Sequence, residues 1–527
     1  MHDTSAPLMT TDTTMNALHP APPKMPLLGW LLTLVLCAVL SFFAADHIKG
    51  DSIKGDATQN LVISYNLYHH GDFSRGGQNT HHVPTSFREP LPPFVTAAYL
   101  KLFFHPDQPY DFESWHNGAH TRLIKLGNLF WVFGGLLATA LIIFCLTASP
   151  VAVLLGLGLN FTWFFGSPFV INSLYTELPA ATLMLWASFF LLRSRHSNTR
   201  WSLTLAGVFL GLLCLTKAVF IYVAPVAAVL FALMLAREQH PGGWLRAWGR
   251  SSAWLMLCAA LVVAPWILRN QLRLGTAEVS SGRSGYVSFK RAMMNQMSAE
   301  ELRYAYFNFG PPLYKSLVSE TDWGRFRPED LQRGGALNRL NYFDPAYIRE
   351  EKTAVALGQP ERATTFYYKP AAIYRQLVNM LVAGGHPKPH ETADRIMQRE
   401  ALKQFASHPL QHLRMTLLVF WRGFWALMAN TPLPFSQDQV IGPLATTLSN
   451  LAAGAALFGV FLSALLRRRT ASLAISVLPV CMMGLYALLS HNLPRFTEPA
   501  VPLMFISVLW VTQHALAGKR RATLPAP

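Results

Sequence analysis

Residues 26–45, PLLGWLLTLVLCAVLSFFAA, run for twenty positions without a charge. A helix of that length rises about 30 Å, the thickness of bilayer hydrocarbon. Comparable runs recur at 126–147, 150–170, 178–192, 252–268, 443–466, 471–490 and 499–516. The stretch 201–236 is apolar except for Lys217. As one helix it would be roughly 54 Å long, so a hairpin turning near Lys217 is expected. Few soluble folds can bury so much continuous apolar chain. Only 14% of residues are charged, against about 25% in soluble domains. The sequence therefore predicts an all-α polytopic membrane protein, a bundle of about ten transmembrane helices.

Charge placement sets the expected orientation. Basic clusters occur at 193–200, 237–250, 467–469 and 519–521, and basic loops stay on the cytoplasmic side. That rule and anionic headgroups account for the net charge of +16 without nucleic acid. Residues 1–23 contain no Lys or Arg, so 1–25 reads as a disordered cytoplasmic tail before an uncleaved first helix. Residues 26–270 form an N-terminal transmembrane module, with a first periplasmic loop at 46–122. Seven spans then place 271–410 outside as a mainly α domain. The segment 411–430 carries Arg414 and Arg422 and reads as an amphipathic helix lying in the interface. C-terminal spans fill 431–518, and 519–527 is a cytoplasmic tail. The five cysteines all lie in apolar runs, as packing residues rather than a disulfide framework.

This topology gathers polar residues from distant parts of the chain at one depth. Asp56 follows the first span, Glu177 opens the fourth, Lys217 sits at the hairpin turn, Arg269 ends the seventh, and Arg495 precedes the last. Arg88 stands before LPPFVTAAYLKLFF, a segment too short to span and expected in the interface. A cation beside a helix N-terminus suits an anionic ligand. The spans themselves are nearly free of ionisable groups. Transporters place such groups near the midplane, so an enzyme acting at the membrane surface fits better.

Several phrases resemble the GT-C fold, polyprenyl-phosphate-dependent glycosyltransferases of bacterial membranes, relatives of the protein O-mannosyltransferases and lipid A aminoarabinose transferases. They are GDATQNLVISYNLYHHGDFS with REPLPPFVTAAYLKLF, NSLYTELPAATLMLWASFFLLR, AGVFLGLLCLTKAVFIYVAP, APWILRNQLRLG, HPLQHLRMTLLVFWRGFW and LPRFTEPAVPLMFI. They cover roughly the transmembrane two-thirds. One departure is Ala57, where many relatives carry a second acid after the first-loop Asp.

The resemblance implies an inverting transfer of a sugar from a polyprenyl-phosphate donor to an acceptor hydroxyl at the periplasmic face of a bacterial inner membrane. Asp56 would be the general base, with Glu177 the second acid. Arg88, Lys217, Arg269 and Arg495 would bind the donor phosphate. Partners would be that donor, membrane lipid, and an envelope glycan, lipid or protein acceptor. The rival readings are an O-antigen ligase-like transferase with a lipid-diphosphate donor, and a lipid or polysaccharide transporter. The pairs His69-His70 and His81-His82 have no Cys or paired acid to complete a metal site. No metal ligands are assigned, and the cofactor is left open.

Overall fold

In the computed structural model, residues 25–76, 83–104, 111–195, 199–319, 321–342, 344–429 and 441–522 are described. Most of residues 1–25, and His81 and His82, lie outside them.

The expected apolar runs become the helices Leu27–Ala45, Asn128–Thr147, Pro150–Asn160, Glu177–Arg193, Thr199–Thr216, Phe220–Gln239, Trp244–Leu274, Ile441–Arg467, Thr470–Leu489 and Val501–Ala522. Among the described residues, eight helices are long and apolar enough to cross a membrane. The exceptions are the third and fourth runs. The third passes through a π-helical turn at Phe161–Phe165 and restarts at Pro168–Ile171. The expected span breaks at Gly166 and Ser167, just before Pro168, whose ring has no N–H to continue the helical ladder. The fourth is a 17-residue helix buried along nearly its whole length. It packs against Asn128–Thr147, Thr199–Thr216 and Thr470–Leu489, so its apolar surface is covered by protein.

Short connections make the neighbours antiparallel and give the bundle two ends. The hairpin turns at Lys217, with helices ending at Thr216 and resuming at Phe220. That turn, the start of Glu177–Arg193 and the Leu493–Arg495 approach to the last helix meet at one end through Lys217, Glu177 and Arg495. At the opposite end Arg195 pairs with Glu238 at 2.7 Å, and the Thr470 hydroxyl also donates to Glu238. The Gln513 amide donates there to the Thr147 carbonyl. The described basic residues Arg193, Arg195, Arg200, Arg237, Arg246, Arg250 and Arg467 to Arg469 belong to this second end.

The first end is elaborated by short elements. Asp56–His70 and Leu91–Phe103 pack on each other. A two-residue antiparallel ladder joins Ser74 to Pro84 and Arg75 to Val83. Gly55 starts the first of these helices at φ 62°, ψ −130°, a region open essentially to glycine alone. It lets an extended approach turn abruptly, so that Asp56 is the first helical residue.

The polar segment 276–408 is mainly helical and caps the same end. Its core gathers Phe289, Met294, Leu302, Leu340, Phe366 and Met397. Ser298 and Glu301 form the capping box that their spacing predicts. The Ser284–Met294 helix lies hard against Pro389–Ser407. A Cβ on Gly285 would come within 1.8 Å of the Asp394 carbonyl oxygen, and the Asp394 carboxylate accepts from the Gly285 and Tyr286 amides. Arg291 ties the segment to the bundle by donating to the His412 and Ala487 carbonyls. The amphipathic Pro409–Phe424 helix buries Met415, Leu418, Val419 and Gly423 and exposes Leu410, Leu413 and Leu417.

Candidate active site

Asp56 is the hub of a chain of ion pairs. Its Oδ1 accepts from Arg88 Nη2 at 2.5 Å and its Oδ2 from Arg495 Nη2 at 3.0 Å. Arg283 stands 4.0 Å from Oδ1. Arg495 then passes to Glu177, Nε to Oε1 at 3.5 Å, and Glu177 Oε1 accepts from Lys217 Nζ at 2.9 Å. Residues 56, 88, 177, 217, 283 and 495 thus come from six separate parts of the chain.

The partners are held from behind. Arg88 is 4% exposed, and its Nε donates to Gln59 Oε1, one helical turn from Asp56. The Arg495 guanidinium lies 4.4 Å from the Tyr175 ring centre. Phe496 and Tyr486 stack at 5.2 Å, and Lys217 Nζ lies within 6 Å of both rings. Glu89, next to Arg88, accepts from the Ala218 amide. Such rigid supports fix charge positions without solvent reorganisation.

Electrostatics follow from this geometry. Burial works to raise the Asp56 carboxyl pKa, but the Arg88, Arg283 and Arg495 charges outweigh it and bring it to about 2. Arg75 is stacked on Phe87 at 3.2 Å and faces Arg88 and Arg283. Arg75, Arg88, Lys217, Arg283 and Arg495 thus stand near Asp56, Glu89 and Glu177, with the buried Glu498 three residues from Arg495. The convergence of cations on Asp56 favours an anion.

Arg269 is placed elsewhere. Its Nη1 donates to the Thr85 carbonyl and to Asn270 Oδ1, and its Nη2 to the Phe73 carbonyl. Among the described residues it forms no ion pair with Asp56 or Glu177. It stands with Arg273 at a cleft of ≈ 440 Å³ lined by Leu67, Phe73, Leu91, Phe94, Leu215 and Trp266. The cleft reaches Pro90, two residues from Arg88.

Two further residues of the first loop have defined neighbours. Asp51 is 61% exposed and accepts from Lys125 Nζ at 2.8 Å and from Asn172 Nδ2 at 2.9 Å. Lys125 is wholly buried. His69 sits in an aromatic cluster with Tyr65, Tyr68 and Trp115.

Sequence reasoning missed Arg283, Tyr175 and Arg75. Arg283 sits in the phrase SSGRSGY, a Gly-flanked cation just before an amphipathic helix, and that local signal could have found it. Tyr175 and Arg75 carry no comparable local mark.

No protein-family model matches the chain, and no curated protein does. Among solved structures it is similar to the oligosaccharyltransferase AglB of Archaeoglobus fulgidus, in complex with an inhibitory peptide and a dolichol-phosphate. The identity is 11% and the TM-score 0.44, over 95% of this chain and 53% of that one. ArnT of Cupriavidus metallidurans in the apo state matches at 14% identity and a TM-score of 0.35, over 94% of this chain and 81% of that one. ArnT bound to undecaprenyl phosphate gives the same identity and TM-score over 95% and 81%. These are GT-C fold glycosyltransferases, the group that the sequence phrases resemble. The chain spans about half the length of the archaeal structures it matches. Identities and TM-scores this low carry no weight for the reaction.

Proposed function

We propose that the protein is a membrane glycosyltransferase that moves a sugar from a polyprenyl-phosphate donor to an acceptor hydroxyl at the outer face of a bacterial inner membrane. The observation that carries this reading is Asp56, held between two guanidinium groups where a bundle end meets an apolar cleft. A polyprenyl-phosphate sugar has the matching form, an apolar tail, one anionic link and a sugar. The tail would enter the cleft beside Leu91 and Trp266, with Arg269 and Arg273 at its edge. The phosphate would meet Arg88, Arg495 and Lys217.

The chemistry is a displacement at the anomeric carbon. The acceptor oxygen bonds to that carbon, the carbon–oxygen bond to phosphate breaks, and polyprenyl phosphate leaves with the electron pair. The acceptor hydroxyl proton goes to Asp56. An in-line attack inverts the anomeric centre. A carboxylate with a pKa near 2 is a poor base, so donor binding has a second task. The phosphate competes for the guanidinium groups that now hold both Asp56 oxygens. Once they turn to phosphate, the Asp56 pKa rises and one oxygen is free to accept a proton. Glu177, held by Lys217 and Arg495, keeps those cations in position.

Three guanidinium groups around Asp56 favour one second reading, a lipid-diphosphate donor as in an O-antigen ligase-like transferase. A transporter is disfavoured, because the Asp, Glu, Lys and Arg residues of the bundle helices lie toward their ends. Incubating the purified protein with radiolabelled polyprenyl-phosphate and polyprenyl-diphosphate sugars separates the readings. Consumption of the monophosphate donor alone is expected. Consumption of the diphosphate donor alone selects the second reading, and turnover of neither donor ends both.

A further inference from the structure

A second cavity, of ≈ 250 Å³, lies where the polar segment meets the bundle end. Lys290, Arg422, His491, Tyr342, Tyr367 and Tyr368 line it. Its lining holds a buried cation, Lys290, a half-buried one, Arg422, and no acid. Lys290 is 3% exposed. Its ammonium sits 3.7 Å from the Tyr367 ring centre and 4.7 Å from that of Tyr286. Among the described residues, neither Lys290 nor Arg422 has a carboxylate within 4.0 Å. Arg422 rests on Phe309 and donates to the His491 carbonyl at 3.4 Å. The His491 Nδ1 is buried without a hydrogen-bond partner.

This is a costly arrangement for a folded chain. A buried charge is normally neutralised by a counter-charge, and ring faces supply only part of what water gave. Burial, then Arg422 and Arg283, bring the Lys290 pKa down to about 7. A buried lysine and a half-buried guanidinium facing one empty volume, with no acid beside them, suit an anion. The volume exceeds what a lone phosphate or carboxylate fills, and tyrosine faces suit the C–H surface of a sugar ring.

The position connects this cavity to the candidate active site. Lys290 lies on the Ser284–Met294 helix, two turns from Arg283, a rise of about 10 Å. His491 packs on Phe496 at 5.4 Å, and Phe496 neighbours both Lys217 and Arg495. We infer that this cavity holds an anionic sugar unit of the acceptor, with its phosphate or carboxylate between Lys290 and Arg422, while a neighbouring hydroxyl is presented to Asp56. The inference rests on the transferase reading and names the class of its acceptor: a glycan or glycolipid bearing an acidic sugar.

The test is saturation-transfer NMR on the full-length protein in nanodiscs, with glucuronate, glucose 6-phosphate and glucose as probes. Saturation transfer to at least one acidic sugar is expected, about tenfold stronger than to glucose, since one charge-assisted contact is worth about that factor. Glucuronate against glucose 6-phosphate tells carboxylate from phosphate. In Lys290→Met the signal should vanish, while the melting temperature stays at or above wild type and polyprenyl-phosphate binding is unchanged. Equal transfer to glucose, no transfer to either acidic sugar, or an unchanged signal in Lys290→Met overturns the inference. So does a Lys290→Met protein that fails to fold, because the lysine would then be structural. Loss of polyprenyl-phosphate binding in a folded Lys290→Met assigns the cavity to the donor instead. If wild type binds acidic sugars but no lipid phosphate, the transferase reading fails and the anion cavity stands.

Discussion

At the scale of single residues, Asp56 and Lys290 make opposite demands. Asp56 is a carboxylate stabilised by too many cations, and its proposed role needs them drawn away. Asp56→Asn keeps the shape and removes the basic oxygen. Transfer should fall about 10²- to 10⁴-fold with the fold intact, as read by donor turnover and a melting curve. Asp51→Asn is the control. It weakens a bridge to the buried Lys125, so the melting temperature should drop while donor turnover per folded molecule persists. Lys290 is a cation with too few anions, and its stability effect has a definite sign. Its pKa is near 7 in the fold, below the ordinary value of about 10.4. The folded state resists its proton over that interval, so stability rises as pH increases from about 7 to 10. The groups facing it are Arg283, Arg422 and His491, the last held neutral by burial and the cations around it. Tyr286, Tyr342, Tyr367 and Tyr368 complete its surroundings, and burial raises the phenol pKa of Tyr286, Tyr342 and Tyr368. Wild type should therefore melt below Lys290→Met at pH 6, with the gap closing towards pH 10.

Element ends decide whether those residues meet. Gly55 aims the Asp56–His70 helix from a backbone conformation closed to L side chains. Gly55→Ala should cost on the order of 1–2 kcal/mol and shift Asp56 from its guanidinium partners. A larger loss in turnover than in stability is the expected pattern, measured on the same preparation. Arg269 works at this scale too. It joins the end of Trp244–Leu274 to the strand segments through the Phe73 and Thr85 carbonyls. Arg269→Gln should lower stability by about 1–2 kcal/mol and weaken lipid-donor binding only in proportion. A selective loss of donor affinity at unchanged melting temperature would give Arg269 a direct contact with phosphate.

For the whole molecule, the two ends of the bundle differ in chemistry. One holds the ion-pair network and both cavities. The other holds Arg195, Arg237 and Arg467 to Arg469. By the positive-inside rule the second end is expected to face the cytoplasm. Single cysteines at Lys352 and Arg467, both exposed, give the check in a cysteine-free background. A membrane-impermeant maleimide added to intact cells should label position 352 and spare 467. Labelling at 467 reverses the topology and removes the proposed outer-face reaction.

Much of the plan was legible in the chain because membrane burial writes itself into local sequence. An uncharged run of twenty residues has few alternatives to a helix. The hairpin at Lys217 follows from length alone, and the shared depth of Asp56, Glu177, Lys217 and Arg495 follows from counting crossings. Depth is one coordinate, however, and a site needs three. Which cation pairs with which acid depends on how the helices pack around one another and on the angles of the short elements above them. Only packing put Arg88 and Arg495 on opposite oxygens of Asp56, drew in Arg283 across more than two hundred residues, and sent Arg269 to a separate cleft. The Lys290–Arg422 cavity was invisible for the same reason. Its residues lie in segments whose local pattern speaks only of amphipathic helices, and two cations left without a counter-ion are a property of space, not of spacing.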